Sequence, residues 1–308
     1  MKKTILFISI VFVSTFFQAQ EETITLQTPT GNIEGTLLLP SVEKPTIALI
    51  IAGSGPTDRD GNSGGLKMNY LKMLAEGLYE NNIASVRYDK RGIGASLMPG
   101  LKEDDLTFSD FISDAELWMD KIMDDSRFGD IVVIGHSEGS LIGMIASQNK
   151  QPNKFISIAG PGITMLATIR RQLKDQPPYI LSMSEPILEK LEKGQTVDSV
   201  PPLLNSLFRQ SVQNYLISVS KYDPLVEISK LKCPVMIVQG TTDIQIEVLD
   251  AEKLAESNKN SKLLIIEGMN HILKEAPENR LLNIQTYGNP DLKIKEGLVD
   301  SISQYIVE

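Results

Sequence analysis

Residues 131 to 146 constrain this chain more tightly than any other stretch. The apolar run Ile131-Val132-Val133-Ile134 leads into Gly135-His136-Ser137-Glu138-Gly139, and the helix-compatible segment Ser140-Leu141-Ile142-Gly143-Met144-Ile145-Ala146 follows at once. Strand, sharp turn and helix around G-x-S-x-G is the setting in which a turn presents a serine as a nucleophile. The turn forces Ser137 into strained backbone geometry, and a Cβ at either flanking glycine position would crowd it. The serine Oγ is then displayed at the end of a sheet, above a helix N-terminus.

An activated serine needs a base, and the chain has two histidines. His136 adjoins the serine within the turn, so its side chain is expected to point away from Ser137. His271 lies in Glu267-Gly268-Met269-Asn270-His271, just past the strand-like run Lys262–Ile266, and is the candidate base. The acid that orients the imidazole should fall between serine and histidine. Asp243 fits, because it follows the strand-like run Pro234–Val238 and the turn Gln239-Gly240-Thr241-Thr242. Its rivals are less well placed: Asp223 precedes the strand, Asp250 falls in the next helix, and Glu267 directly precedes the histidine loop. The end of Phe155–Ala159, another place for such an acid, continues as Gly160-Pro161-Gly162.

The order Ser137, Asp243, His271 in these contexts resembles the α/β-hydrolase superfamily. Within it the chain is similar to bacterial serine esterases related to the serine aminopeptidase-like group. Gly53-Ser54-Gly55-Pro56 followed by Asp58-Arg59-Asp60-Gly61-Asn62 carries part of that resemblance, as does Arg87-Tyr88-Asp89-Lys90-Arg91-Gly92-Ile93-Gly94-Ala95-Ser96. The resemblance implies an oxyanion hole of two backbone N–H groups. One belongs to Glu138; the other comes from the loop after Thr46–Ile51, at Ser54 or, one residue on, at Gly55. The family's more common His-Gly pair in that loop is Ala52-Gly53 here, which leaves the register open by one residue. The Glu138 carboxylate is accounted for by the dipole of the helix it begins, with substrate recognition as the alternative. Asp58, Arg59, Asp60, Asp89 and Arg91 read as a structural ion-pair and turn cluster. Gly92-Ile93-Gly94 lacks the G-K-[ST] ending of a phosphate loop.

The implied fold is a mostly parallel, doubly wound sheet with an inserted helical cap. Thr23–Leu39 reads as a hairpin around Pro29-Thr30-Gly31-Asn32. Strand-like runs at Thr46–Ile51, Ala84–Tyr88, Ile131–Ile134, Phe155–Ala159, Pro234–Val238 and Leu263–Ile266 are mostly separated by helical patterns, and a last helix is expected over Ile294–Ile306. About 70 residues interrupt the alternation. This sets the expected organisation: a signal peptide at 1–20, a hydrolase core at 21–161 and 233–308, and a cap at 162–232. The cap contains Pro177, Pro178, Pro186, Pro201 and Pro202 between helix-like pieces such as Thr164–Lys174 and Leu203–Ser218. Its apolar residues, among them Met165, Leu166, Ile180, Leu181, Met183, Leu204, Leu207 and Phe208, either line an acyl pocket or pack the cap onto the core.

Composition narrows the function classes. Met1-Lys2-Lys3 followed by the apolar stretch Thr4–Phe17 reads as an export signal cleaved after Ala19 or Gln20, too short for a comfortable membrane span. The expectation is a periplasmic or extracellular protein without stable membrane association once that segment is removed. Cys233 is the only cysteine, so no internal disulfide forms, and one cysteine with two histidines does not furnish a structural zinc site. The net formal charge of −9, more acidic still without Lys2 and Lys3, suits neither nucleic acid nor anionic membranes. The expected activity is hydrolysis of small or medium carboxylic esters through an acyl-enzyme, without a cofactor. A peptidase or amidase with the same triad is the alternative; one that reads a free amine would need a carboxylate for it, such as Glu138 or Glu185, neither of which the sequence places. A non-catalytic ligand receptor of this fold is the third reading.

Overall fold

The computed structural model describes residues 21–308, so the export-signal segment lies outside the described residues. Strands β1 (Glu21–Thr28) and β2 (Gly31–Leu38) form an antiparallel hairpin on one side of an eight-stranded sheet. The remaining strands are β3 (Ile47–Ile51), β4 (Ala84–Tyr88), β5 (Ile131–His136), β6 (Lys154–Ile158), β7 (Val235–Gly240) and β8 (Lys262–Ile266). They run parallel to one another, and the spatial order is β1-β2-β4-β3-β5-β6-β7-β8. Connections depart to one side from β3 to β4 and to the other from β5 onward. The switch point of the sheet therefore lies at the carboxyl ends of β3 and β5, where open α/β sheets bind their ligands.

Both faces of the sheet are covered, which explains why its central strands read as unbroken apolar runs. Leu49, Ile51, Val133, Phe155 and Ile237 face a core completed by helices α2 (Phe108–Met123), α3 (Glu138–Lys150) and α9 (Val248–Ser257). Their neighbours Ala48, Ile50, Val132, Ile134, Ile156 and Met236 face the opposite core, closed by α1 (Tyr70–Glu80) and α11 (Leu298–Val307). A one-residue slip of any of these strands would exchange the two sets. The last helix begins at Leu298 rather than near Ile294, because Gly297 caps it in a left-handed conformation and Lys295 N–H is bonded to the Leu273 carbonyl. A short helix α10 (Arg280–Thr286) precedes it.

The interval between β6 and β7 holds α4 (Met165–Leu173), α5 (Pro178–Glu192), α6 (Asn205–Phe208), α7 (Gln210–Val219) and α8 (Pro224–Ser229). Leu166, Ile169, Leu188, Leu191, Leu204, Phe208 and Leu216 build a separate apolar cluster within it. Helix α5 starts at Pro178, where the missing N–H is harmless, and runs through the exposed Pro186. The helix expected over Leu203–Ser218 is broken at Arg209, whose backbone is extended. The break lets Phe208 turn into the cap cluster, and Gln213 holds it by donating to the Phe208 and Val197 carbonyls at 2.9 and 3.2 Å. Among the described residues no helix is long and apolar enough to cross a membrane.

Candidate active site

Ser137 ends β5 and begins α3 with φ 55° and ψ −124°. Positive φ in a non-glycine residue costs on the order of 1–3 kcal/mol and persists only where its surroundings impose it. Here the imposition is visible. Ser137 N–H donates to the Ile158 carbonyl at 2.9 Å, and its own carbonyl accepts from Ser140 N–H at 2.9 Å. A Cβ on Gly135 would collide with the Gly139 carbonyl, and one on Gly139 with the Ile51 carbonyl. The sharp turn thus requires both glycines, and it leaves the serine partly exposed between buried neighbours.

Asp243 follows β7 and His271 follows β8, so both arrive at the same edge of the sheet as Ser137. His271 Nδ1 lies 2.8 Å from Asp243 Oδ2, and the Asp243 side chain is only 1% exposed. Gln239 Nε2 also donates to Oδ2, at 3.1 Å, while the Gln245 and Ile246 N–H groups donate to Oδ1 at 2.8 and 3.0 Å. Burial opposes ionisation of this carboxyl, but the adjacent imidazole and these donors outweigh it and hold the acid below its ordinary range. Asp250, one of the rivals, instead accepts from Gly162 N–H and pairs with Arg171.

The loop carrying His271 is braced from beneath. Asn270 accepts from Lys274 N–H and donates to Asn283 and Thr286, and Asn283 donates to the Thr242 carbonyl at 2.7 Å. His136, the serine's neighbour, turns away from Ser137 and places Nε2 2.8 Å from the His271 carbonyl. Its Nδ1 lies 3.3 Å from the Tyr70 hydroxyl. Burial, with a smaller contribution from His271, lowers its pKa to about 3. A neutral ring satisfies both contacts when Nε2–H donates to His271 and Nδ1 accepts from Tyr70. His136 is therefore a strut under the histidine loop, a role that an i−1 position in the turn did not disclose.

Ser137, His271, Gly53 and Ser54 line one cavity of about 300 Å³, with Tyr70, Tyr287, Met68 and Gln245 around it. The Ser137 hydroxyl makes no direct hydrogen bond to His271 there; such contacts often tighten only when substrate binds. Glu138, as the first residue of α3, has no intrahelical acceptor for its N–H. Gly53 packs against the turn so closely that a Cβ on it would sit 3.0 Å from the Ser137 Cβ. Its carbonyl accepts from the buried Lys90 ammonium. A trans peptide carries its N–H opposite its carbonyl, so the Ser54 N–H faces away from Lys90. Nothing in the Arg87–Ser96 segment marked Lys90 for this position, because its charged neighbours Asp89 and Arg91 read as a structural ion-pair cluster.

The other charged residues of those two loops are tied to one another. Arg59 makes paired bonds to Asp89 and reaches Glu34 at 2.6 Å, Arg87 bonds Asp60 at 2.7 Å, and Arg91 pairs with Asp114. Asp58 accepts from the Asp60 and Asn62 N–H groups and closes the turn. Glu185 pairs with Arg170 at 2.9 Å on the cap. Of the cap residues expected to line a pocket, Leu166, Leu204 and Phe208 fill the cap cluster, while Met183 and Leu207 are exposed. The cap residues that border the cavity beside Glu138 are instead Arg209, Val212 and Tyr215. Among the described residues no cluster of histidine, cysteine or acidic side chains is suited to hold a metal ion.

A family model described as serine aminopeptidase, S33, matches residues 65–211, a span that includes Ser137 but neither Asp243 nor His271. No protein of curated function matches the sequence. Among solved structures, Est1E from Butyrivibrio proteoclasticus superposes with a TM-score of 0.61 at 18% identity, covering 93% of this chain and 99% of that one. A Pyrococcus furiosus esterase gives 0.61 at 14% identity over 97% and 94%. A dienelactone hydrolase from Anabaena variabilis gives 0.54 at 14% identity over 94% and 95%. At these identities the likeness is one of fold.

Proposed function

We propose that the chain is a serine hydrolase of the α/β-hydrolase kind, cleaving small or medium carboxylic esters. The observation that carries this reading is the strained Ser137 sharing one cavity with the Asp243-bound His271. Ser137 attacks the acyl carbon while His271 Nε2 takes its proton. Asp243 fixes the imidazole with Nδ1–H toward itself and stabilises the imidazolium that forms. The Glu138 and Ser54 N–H groups receive the developing oxyanion, and Lys90 keeps the Gly53–Ser54 peptide turned for that purpose. His271 then protonates the departing alkoxide and activates the water that frees the acid. No step calls on a cofactor.

The N-terminal segment supports export to the periplasm or beyond, and the mass of the chain recovered outside the cytoplasm tests it. For the reaction, initial rates on p-nitrophenyl esters from acetate to decanoate are measured beside Ser137→Ala. Turnover that collapses in the variant is the expected result; folded protein with no ester turnover would overturn the reading. Aminoacyl anilides assayed in parallel distinguish the amidase alternative, to which the pairing of Glu185 with Arg170 lends no support.

A further inference from the structure

A second cavity, of about 180 Å³, is bordered by Glu138, next in the chain to Ser137, and by none of the triad residues. Gly55 and Pro56 border it from the oxyanion loop, and Ile93, Leu106, Phe111, Val212 and Tyr215 supply most of its walls. Two charged side chains line it from the core. Lys90 and Glu138 are each 3% exposed; the Tyr215 hydroxyl approaches the Glu138 carboxyl, while its Oε2 keeps no hydrogen-bond partner. No direct ion pair joins them, although each feels the other's charge. Lys90 spends one of its three donors on the Gly53 carbonyl. Arg91 and Arg209, also at this cavity, are already matched by Asp114 and Glu103. An unsatisfied carboxylate oxygen at such depth is costly, more so if ionised, unless a ligand supplies its donor.

The two cavities differ in what catalysis can do in each. His271 must deliver a proton to the leaving oxygen, so the alcohol portion belongs on its side. The acyl chain then extends the other way, past Glu138. On that basis, which rests on the serine esterase reading, we propose that the second cavity is an acyl subsite for chains bearing a neutral hydroxyl, recognised by Glu138 and Lys90 together. A hydroxyl donates to the Glu138 carboxylate and accepts from the Lys90 ammonium, filling both demands at once. An ammonium would satisfy Glu138 but face Lys90, and a carboxylate would face Glu138. An alkyl end would leave the Glu138 Oε2 and the remaining Lys90 donors unfilled, and sites of this kind reject such analogues strongly. Burial raises the Glu138 pKa and lowers that of Lys90, as expected where two groups are held in a dry cavity.

Three p-nitrophenyl esters of nearly equal length test this: 6-hydroxyhexanoate, heptanoate and 6-aminohexanoate. The wild-type kcat/KM is expected to favour the hydroxyl ester over heptanoate by about 10–100-fold, the range of a hydrogen bond to a charged group. Glu138→Leu should bring that ratio to within about threefold of one. Val212→Trp, which fills the cavity from the cap and leaves Lys90 and Glu138 unsubstituted, should lower the rate on all three esters relative to acetate by at least about tenfold. A wild-type ratio near one, or a preference that survives Glu138→Leu, overturns the proposal. A preference for the ammonium ester that vanishes in Glu138→Leu also overturns it, in favour of an amine site. The esterase reading is separated by calorimetry on Ser137→Ala with 6-hydroxyhexanamide and heptanamide. Selective binding of the hydroxyl amide without ester turnover in the wild type would sink the reaction but keep the subsite. Turnover with no selectivity in either measurement would do the reverse.

Discussion

The two walls of the cleft around Ser137 are built on opposite principles. On the histidine wall the groups that hold His271 are matched, although the buried Gln239 Oε1 and Thr242 Oγ1 beside them have no partner. Asp243 receives four donors, His136 is bonded at both ring nitrogens, and Asn270 and Asn283 bond each other and the backbone. On the glutamate wall two buried charged side chains face a cavity, and one carboxylate oxygen lacks any partner. A satisfied network holds its members in one geometry, which proton transfer requires. An unsatisfied one leaves binding free energy to be gained from the ligand. On the proposed reading, the contrast separates the part of the cleft that performs chemistry from the part that selects what is processed.

The histidine wall should show the largest losses. Ser137→Ala is expected to reduce kcat by about 10⁴–10⁶-fold with unchanged melting temperature or better, since a strained residue is relieved of nothing essential to the fold. Asp243→Asn should follow, with a loss of roughly 10³–10⁴-fold in kcat, because an asparagine amide no longer fixes the productive tautomer of His271. Steady-state kinetics on p-nitrophenyl acetate check both. If Asp243→Asn retains more than a tenth of wild-type kcat, the acid has been misassigned and the division between the walls fails.

Much of the histidine wall was legible in the sequence because its chemistry is tied to element ends. The turn Gly135–Gly139 follows an apolar run, and Asp243 and His271 each follow another, so strand periodicity alone brings them to one edge of the sheet. The sheet itself was readable for the same reason: strands buried on both faces appear as short continuous apolar runs. The glutamate wall was readable only at Glu138, for which substrate recognition was an alternative; its assembly was not. Its polar members come from unrelated segments, Lys90 from a loop, Glu138 from a helix start and Tyr215 from α7, and only tertiary packing joins them. The break at Arg209 that orients α7 depends on Gln213 bonding to Val197 and Phe208, a pairing with no local sequence signal. Proline misled in a different way, since Pro177 and Pro178 read as a break but open a helix.

Lys90 joins the two walls, and its replacement sharpens the comparison at an intermediate magnitude. Its ammonium holds the Gly53 carbonyl, and through peptide planarity it aims the Ser54 N–H. Lys90→Met should lower kcat on p-nitrophenyl acetate by about 10²-fold with little change in KM, the signature of a lost oxyanion donor. Acetate is the chosen substrate because its acyl group is too short to use the second cavity. A change confined to KM would mean that Lys90 serves binding alone and that the Ser54 amide is oriented by other means.

The smallest effect concerns stability and falls on the strut beneath the histidine wall. Burial holds His136 neutral, with a pKa of about 3 against an ordinary value near 6.5. In the unfolded chain the same ring takes up a proton as pH drops below about 6.5, while the folded protein leaves it neutral until near 3. A depressed folded pKa therefore contributes stability that is complete above about pH 6.5 and is lost as pH falls, at up to roughly 1.4 kcal/mol per pH unit. His136→Phe removes this titration together with the bonds to the His271 carbonyl and Tyr70. At pH 7 the variant should be less stable by about 1–3 kcal/mol. Between pH 6 and pH 4 that deficit should shrink, because only the wild type continues to lose stability through this ring. Urea titrations at pH 7, 6, 5 and 4 measure the difference directly. A deficit that stays constant with pH would mean that His136 is not held neutral, and that the network beneath His271 is less completely matched than its hydrogen bonds indicate.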